Sequence, residues 1–195
     1  ALAAERHAEG RPIKGPRPRG GTRAEDAALA AELERSEKDR AENLMIVDLV
    51  RNDLGRVCET GSVHVPELMA IESYATVFQM VSTVRGRLRK DCSAADLVRA
   101  TFPPGSMTGA PKIAAMQIID RIEPVRRSIY SGAIGYFDAA GGFDLSVVIR
   151  TLLVRDGQVH LHSGGAVVSD SDPEAEYRES LDKIRALLAA VECSG

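Results

Sequence analysis

The sequence contains no tryptophan and few other aromatic residues, which together make up 4% of its 195 residues. Base-stacking platforms for nucleic acids need such rings, and the formal net charge of −3 also argues against a nucleic-acid ligand. Long hydrophobic runs are missing too, because the stretch Leu44 to Val47 ends at Asp48. We therefore expect no membrane span and, since no apolar leader follows a basic start, no signal peptide.

Cysteine is scarce: Cys58, Cys92 and Cys193 lie far apart, without CxxC spacing or a histidine cluster. This usage is typical of reduced thiols in a cytosolic protein and argues against a zinc site. The remaining composition is ordinary, with 44% hydrophobic and 27% charged residues, which argues against wholesale disorder and a fibrous protein. We expect a cytoplasmic globular chain of one domain or slightly more.

Residues 1–23 carry six Lys or Arg against two Glu, a local formal charge of +4, with three Pro and four Gly. Proline removes backbone donors and glycine costs conformational entropy, so this segment is not a long helix. Composition alone favours a solvated arm, in which Lys14 is an ordinary amine. A lysine in a rigid Pro/Gly setting beside cationic neighbours can also serve as a nucleophile once its amine is deprotonated.

The rest of the chain predicts an alternation of helices and strands. Helical patterns cover 24–55, 93–102, 110–122 and 173–191, and strand patterns cover 62–88, 132–137, 143–154, 158–162 and 166–168. Ser93 with Asp96 three residues later predicts a capped helix start, and Asp156-Gly157 predicts a hairpin turn. This order predicts an α+β fold with antiparallel sheets.

Two of the predicted helices carry carboxylates at helical spacing. Asp39 and Glu42 lie three residues apart on one, and Glu176 and Glu179 lie three apart on the other, followed by Lys183. Taken alone, the latter set is an ordinary solvated face with a Glu179–Lys183 pair. If the two helices approach, four carboxylates converge, and a cation would relieve their repulsion. Mg²⁺ suits such carboxylates because it also keeps water and substrate oxygens as ligands.

Three further segments are candidates for binding an anion. Ser106 and Thr108 precede the helix that begins near Pro111, where they either bind an anion or cap the helix. The small residues 163–166 either present backbone N–H groups to a carboxylate or form a bulge or tight turn. Arg150 lies inside an apolar strand and needs a partner, which is either a bound carboxylate or an internal Asp or Glu.

Together these segments resemble the chorismate-utilising enzyme family, which includes anthranilate, aminodeoxychorismate, isochorismate and salicylate synthases. The matching motifs run in family order from about residue 11 to the end: PIKG (12–15), DRAENL (39–44), DLVRND (48–53), VST (81–83), TGAPK (108–112), YSGAIGY (130–136), IRT (149–151), and Asp170-Ser171 with EYRE (176–179) and Lys183. The resemblance implies antiparallel sheets with packed outer helices. It also implies that residues 1–195 are the C-terminal part of one catalytic domain, with 1–23 an active-site segment and 24–195 the helix and sheet body.

The resemblance further implies a Mg²⁺-dependent site that acts on chorismate. By position, Glu42 and Glu179 resemble direct metal ligands, and Asp39 and Glu176 resemble ligands that act through water. The metal would hold the ring carboxylate and assist loss of the carbon-4 hydroxyl as a nucleophile attacks carbon 2. The residues that resemble substrate contacts are Tyr130 and Arg150 for the enolpyruvyl carboxylate, the turn of Gly164, Gly165 and Ala166 for backbone N–H groups, Lys183 for a carboxylate, and Gly15, Ser106 and Thr108 beside the substrate.

Lys14 resembles the aminodeoxychorismate synthase branch of the family, in which this lysine is proposed to attack carbon 2. Ammonia from a glutamine amidotransferase subunit or fused domain then adds at carbon 4, giving 4-amino-4-deoxychorismate for para-aminobenzoate and folate synthesis or a related metabolite. Gln79 stands where anthranilate synthase-like chains have a histidine that assists pyruvate elimination. Glutamine does not exchange a proton near neutral pH, which suits a product that keeps its enolpyruvyl group. The alternatives are an anthranilate- or aminodeoxyisochorismate-forming enzyme and an inactive chorismate-binding fragment.

Several features depart from the family pattern. Pro16 replaces a common threonine, and Ala166 replaces a glycine, so that its methyl group could crowd the ligand. Family domains are longer, and their general-acid glutamate belongs upstream of the Lys14 motif, in surroundings that neither Glu5 nor Glu9 has. We therefore expect the isolated chain to carry the metal half of the site and to be poorly active or inactive.

Overall fold

The structure, a computed structural model, describes residues 6–168 and 171–192. The elements in chain order are β1 (His7–Gly10), β2 (Ile13–Pro18), α1 (Arg23–Arg35), α2 (Glu37–Gly55), β3 (His64–Ser73), β4 (Val77–Arg87), α3 (Ala94–Thr101), α4 (Gly105–Thr108), α5 (Lys112–Ile122), β5 (Ala133–Phe137), β6 (Phe143–Val147), β7 (Leu152–Arg155), β8 (Gln158–Leu161) and α6 (Pro173–Glu192). The paired strands of known register are antiparallel, which confirms the predicted α+β class. Within the described ranges, no helix is both long and apolar enough to cross a bilayer.

The chain divides into two compact units. The first unit contains residues 1–123 and 135–145, and the second contains 124–134 and 146–195. The first unit holds a four-stranded sheet with helices α1 to α5, whereas the second holds the β7–β8 hairpin and α6. β5 pairs with β6 in a separate two-stranded sheet.

Strand β4 is the centre of the four-stranded sheet. β1 pairs with its C-terminal half, β2 pairs with its N-terminal half, and β3 pairs along its other edge. Residues on both faces of β4 are buried, including Met80, Val81 and Val84. A strand that is buried on both faces has a nearly continuous run of apolar and β-branched residues in its sequence. This run in the sequence predicted the strand.

Two clusters of apolar side chains pack around this sheet. The larger joins α2, β1, β4 and α3 through residues such as Val47, Leu54 and Leu97, and it contains the buried free thiols Cys58 and Cys92. Burial in this cluster raises the pKa of Cys58. The smaller cluster consists of Leu33, Phe78 and Met80, where α1 covers the sheet. Cys193 lies outside the described residues.

The basic N-terminal segment contains ordered structure instead of a solvated arm. β1 and β2 both bond to β4, with His7 opposite Arg87 and Ile13 opposite Val81. Over residues 6–22 the structure has no helix, as expected, and the composition-based expectation of a free arm is wrong for these residues. Pairing with β4 satisfies the backbone groups that solvent would otherwise have to satisfy.

Residues 24–55 form two helices, which corrects the prediction of one. Ser36 ends α1 by donating its N–H to the Leu33 carbonyl at 3.2 Å, and its hydroxyl accepts from the Asp39 N–H at 3.3 Å to begin α2. Serine competes for backbone hydrogen bonds in this way and therefore favours helix ends. Further along, the predicted capping box of α3 is confirmed, because Ser93 and Asp96 bond reciprocally.

The second unit corrects two strand boundaries. The predicted strand 143–154 is two strands, since β6 ends at Val147 and β7 begins at Leu152, with Arg150 at a positive φ of 48° between them. Residues 166–168 form no strand. The predicted hairpin turn is confirmed, because Asp156 and Gly157 both have positive φ, as a two-residue turn between twisted strands requires.

Candidate active site

Lys14 lies against the carboxylate-bearing start of α2. Its Nζ is 3.3 Å from Oε2 of Glu42, and its side chain is 23% exposed. The next residue, Gly15, has a φ of +63°, and a Cβ there would lie 2.8 Å from the Asp39 carboxylate and 2.6 Å from Leu33. Only glycine accepts both the conformation and the close approach. The structure thus brings together Lys14, Gly15, Asp39 and Glu42, which we call the first-unit site.

Arg17 neutralises the other carboxylate of the first-unit site. Its guanidinium donates to Asp39 Oδ2 and to Glu32 Oε1, each at 2.9 Å. Burial opposes the charge of Arg17, but hydrogen bonds and charge from Glu32 and Asp39 outweigh it and raise the pKa of Arg17. Each of the two α2 carboxylates therefore has its own basic partner from β2.

A buried polar network fixes α2 to the sheet beside the first-unit site. The Ser82 hydroxyl donates to Asn43 Oδ1 at 2.5 Å and accepts from the Met69 N–H at 2.8 Å, while the Asn43 amide donates to the Met80 carbonyl at 3.4 Å. Asn43 and Ser82 are fully buried. Asn43 follows Glu42 in sequence, so this network sets the orientation of the helix turn that carries the carboxylate.

The sequence alone indicated no role for Asn43, Ser82 or Arg17. Asn43 and Ser82 belong to the motifs that carry the family resemblance, but their spacing alone does not show that they meet. The sequence did contain one signal: Asn43 lies on the same helix face as the apolar residues Ile46 and Val47. An amide on an apolar face is expected to be buried, and a buried polar group needs a hydrogen-bond partner.

Gln79, Ser106 and Thr108 lie elsewhere in the first unit. Gln79 is half-buried on β4, opposite Glu72 of β3 in the register. Ser106 is exposed on α4, and the Thr108 hydroxyl donates to the Pro104 carbonyl at 3.2 Å. Neither hydroxyl caps α5, whose N-cap is Pro111 without a side-chain bond.

The second unit places Gly164 and Gly165, which we call the glycine turn after the matching family feature, against α6; in the structure they belong to the irregular segment 162–168. Lys183 Nζ is 2.7 Å from Glu179 Oε1 and 3.3 Å from the Gly164 carbonyl. A Cβ on Gly165 would lie 2.8 Å from Glu176 Oε2, so a side chain at this position would require the Glu176 carboxylate to shift. These five residues, Gly164, Gly165, Glu176, Glu179 and Lys183, form what we call the second-unit site.

Tyr130 borders the second-unit site. Its hydroxyl lies 3.4 Å from where a Gly164 Cβ would be, and its ring stacks on His162 at 5.6 Å between centroids. The Arg127 guanidinium lies 5.9 Å from the same ring. Both neighbours restrict the ring, so the hydroxyl is held toward the glycine turn.

The other predicted residues of the second unit are solvent-facing. Arg150 is exposed between β6 and β7, which corrects its predicted position inside a strand. Ala166 is exposed next to the glycine turn, and Asp170 lies outside the described residues. Ser171 donates its hydroxyl to Glu176 Oε1 at 2.7 Å, and Asp172 accepts from the Ala175 N–H to cap α6.

A cavity of about 150 Å³ lies within the second unit beside Tyr130. Its lining residues are Ser128, Ile129, Tyr130, Val148, Thr151, Leu153, Arg155, His160 and His162. In residues 6–168 and 171–192, no three His, Cys, Asp or Glu side chains form a metal-holding cluster. The candidate carboxylates instead occur as two pairs, one on α2 and one on α6.

The chain is similar to known proteins over nearly its whole length. Residues 3–189 match the sequence pattern of a family described as chorismate binding enzyme. An aminodeoxychorismate synthase of Streptomyces pristinaespiralis is 58% identical over 190 residues, which cover 97% of this chain and 26% of the relative. Component 1 of anthranilate synthase from Acinetobacter calcoaceticus is 50% identical over 184 residues, which cover 94% of this chain and 37% of the relative.

The fold has a counterpart among solved structures. The crystal structure of anthranilate synthase component I from Streptococcus pneumoniae TIGR4 matches with a TM-score of 0.82 and 39% identity, over 92% of this chain and 39% of that chain. The chain thus spans about a quarter to two fifths of the length of these relatives. The matched residues include both candidate sites, and the chain belongs to the chorismate binding enzyme family.

Proposed function

We propose that the full protein containing this chain aminates chorismate to 4-amino-4-deoxychorismate, with ammonia from a glutamine amidotransferase subunit or fused domain. The observation that carries the proposal is the placement of Lys14 Nζ 3.3 Å from Glu42 Oε2. A lysine on a solvated arm would have no fixed carboxylate neighbour. The name of the 58% identical Streptomyces relative supports the same product, which would serve para-aminobenzoate synthesis.

Lys14 is the proposed covalent nucleophile. Its neutral amine forms a bond to carbon 2 of chorismate, both ring double bonds shift toward carbon 4, and the carbon-4 hydroxyl leaves as water with the proton that Nζ gives up. Ammonia then forms a bond to carbon 4, both double bonds shift back, the carbon 2–Nζ bond breaks, and a proton from the added ammonia returns to Lys14. Splitting one displacement into two is the general benefit of covalent catalysis.

The donor chemistry of both carboxylate pairs suits magnesium. Each pair offers only carboxylate oxygens, which hard cations prefer. Without a cation, Glu42 and Asp39 pair with Lys14 and Arg17, and Glu179 pairs with Lys183, so a bound cation would replace these partners. We assign Glu42 and Glu179 as direct ligands, and Asp39 and Glu176 as ligands through water. When bound, Mg²⁺ would draw negative charge toward the ring carboxylate of chorismate and so assist loss of the hydroxyl.

The second unit supplies the proposed contacts to the enolpyruvyl group. Gly164 and Gly165 carry no side chain of their own, so their backbone N–H groups would be able to donate to a carboxylate. Tyr130 and Arg150 would add donors, and Lys183 would add positive charge. Ala166, Ser106, Thr108 and Gly15 are the proposed border of the substrate.

Gln79 would favour retention of the enolpyruvyl group. A glutamine amide at this position neither gives up nor takes a proton near neutral pH, whereas pyruvate elimination needs a group that does. We propose that residues 1–195 form the C-terminal part of one catalytic domain and that the isolated chain is poorly active or inactive.

The proposal is tested in the full-length protein with chorismate, Mg²⁺ and ammonia. Mass spectrometry of the intact protein should show a chorismate-derived adduct, and peptide mapping should place it on Lys14. Lys14→Ala should remove the adduct and lower the ammonia-dependent rate on the order of 100-fold or more. Lys38→Ala, at an exposed lysine of α2, is the matched control and should keep the adduct and the rate.

Chromatography of the products separates the candidate activities. The expected product is 4-amino-4-deoxychorismate, while anthranilate or aminodeoxyisochorismate would assign the chain to another branch of the family. An unchanged rate in Lys14→Ala, without any adduct on the parent protein, would disprove covalent catalysis. Failure of chorismate to bind in calorimetry with Mg²⁺ present would disprove the enzyme assignment itself.

A further inference from the structure

The loop of residues 102–111, which carries Ser106 and Thr108, is closed at its base by one side chain. Lys112 follows the loop, and its Nζ donates to the carbonyl of Thr101, which precedes the loop, at 3.4 Å. The same Nζ donates to Asp53 Oδ2 on α2 at 2.6 Å. One ammonium group therefore joins both ends of the loop and ties them to α2.

This ion pair lies in the protein interior. The side chains of Lys112 and Asp53 are 12% and 7% exposed. Burial raises the pKa of Asp53, and the hydrogen bond and positive charge of Lys112 oppose that effect. Each buried charge thus depends on the other, because removing one partner leaves an uncompensated charge.

A second contact holds the loop on the same helix. A Cβ on Gly105 would lie 2.6 Å from Cδ1 of Leu49 and 3.0 Å from its Cβ. The loop backbone at Gly105 therefore packs directly on the Leu49 side chain of α2. The loop is attached to α2 at two points, Leu49 and Asp53.

The attachment points share a helix face with the candidate metal carboxylates. The residues spaced by three and four along this face are Asp39, Glu42, Ile46, Leu49 and Asp53. Asp53 lies about 16 Å along the axis from Glu42, at 1.5 Å per residue. One rigid helix therefore carries the carboxylates near its start and the loop anchor near its end.

We propose that the Lys112–Asp53 ion pair is a positioning device that fixes the loop of Ser106 and Thr108 relative to Glu42, and thereby the chorismate ring relative to the metal ligands. The proposal rests on the proposed function for its substrate, but the position of the loop can be measured without turnover. Lys112 and Asp53 act through the loop and do not contact the substrate.

The test compares variants of the full-length protein by hydrogen–deuterium exchange and by steady-state kinetics with ammonia. Lys112→Met should increase amide exchange in residues 102–111 while exchange in residues 39–47 stays as in the parent. It should raise KM for chorismate about tenfold with a smaller change in kcat. Asp48→Asn, which removes the exposed Asp48–Arg51 pair of the same helix, is the matched control and should change neither quantity.

A double variant separates positioning from stability. Asp53→Leu with Lys112→Met replaces a buried ion pair by apolar side chains, which commonly preserves stability, but it cannot restore the bond to the Thr101 carbonyl. We expect a melting temperature near that of the parent with loop exchange and KM still raised. Parent-like loop exchange and KM in the double variant, or uniform loss of protection throughout α2 in the single variant, would overturn the proposal. If the parent protein does not turn over chorismate, the proposed function fails, and the exchange data still decide whether the pair positions the loop.

Discussion

The two units differ most in how they bury apolar side chains. The first unit has cores on both faces of β4, with Leu33, Met80 and Val84 fully buried. Among the described residues of the second unit, Val148 is the one buried hydrophobic side chain, while Val154 is 70% exposed and Ile134 is 67% exposed. Buried apolar area is the main stabilising contribution to folding. The first unit therefore holds its site on its own core, whereas the second holds its site mainly by polar contacts and glycine geometry.

The largest expected difference between the units comes from truncating an apolar side chain. Met80→Ala, at a fully buried position of β4, should lower the free energy of unfolding by about 2–5 kcal/mol through lost burial and a cavity. Val159→Ala, at a 45% exposed position of β8, should cost less than about 1 kcal/mol. Urea denaturation of both variants measures the difference. Equal costs would show that the second unit has an apolar core of its own.

Glycines with positive φ should give the next largest difference. Gly15→Ala combines a φ of +63° with collisions against Leu33 and Asp39, so we expect a loss of about 3 kcal/mol in unfolding free energy. Gly157→Ala in the β7–β8 turn has a φ of +73° but open space around the new methyl group, so only backbone strain of about 1 kcal/mol applies. Thermal denaturation should rank the two in this order, and the reverse ranking would contradict the packing of Gly15.

Removal of a serine hydroxyl should also lower the free energy of unfolding more in the first unit than in the second, but by a smaller difference. Ser82→Ala leaves Asn43 Oδ1 and the Met69 N–H without their buried partner, at a cost of about 1–3 kcal/mol. Ser163→Ala in the second unit removes an exposed bond to the Ser180 carbonyl, and should cost at most about 0.5 kcal/mol. Chemical denaturation is again the measurement, and a neutral Ser82→Ala would mean that water replaces the hydroxyl.

A fall in pH should produce the smallest of these effects, a loss of the Asp96 cap at the start of α3 in the first unit. Bonds from the Ser93 hydroxyl and N–H lower the pKa of Asp96. A lowered folded-state pKa means that the capping contribution is complete above the ordinary aspartate value of about 3.9 and is lost as the pH falls through the folded value. Amide hydrogen exchange in the first turn of α3 should therefore rise only when the pH falls below about 3.9. Ser93→Ala should move the Asp96 titration, followed by NMR, back toward the ordinary value, and an unmoved titration would exclude this cause.

Local structure was predictable wherever neighbouring residues alone determine it. The capping box of Ser93 and Asp96 and the Asp156-Gly157 turn depend on contacts within four residues, and both were predicted. The break at Ser36 was missed because helical periodicity continues through it, and the cap becomes visible only from the backbone angles. The extended conformation of residues 7–18 was missed because it depends on pairing with β4, far along the chain.

The candidate sites were predictable only in part for the same reason. The pairs Asp39 with Glu42 and Glu176 with Glu179 follow from the helical repeat, so their spacing could be read from the sequence. Contacts such as Lys14 with Glu42 join different elements, and no local pattern specifies them. The resemblance to a family supplied these residues, while the partners that hold them, Asn43 and Ser82, required the structure.

The pairing of β1 and β2 with β4 also has a consequence for synthesis of the chain. Their bonded partners lie between 59 and 80 residues further along, from Pro18 with Val77 to His7 with Arg87. At translation rates of about 5–20 residues per second, the N-terminal strands wait about 3–16 seconds for the strand that completes them. During that interval Lys14 is made but the strand that holds β2 in the sheet is not, so the first-unit site is completed several seconds after Lys14 itself is synthesised.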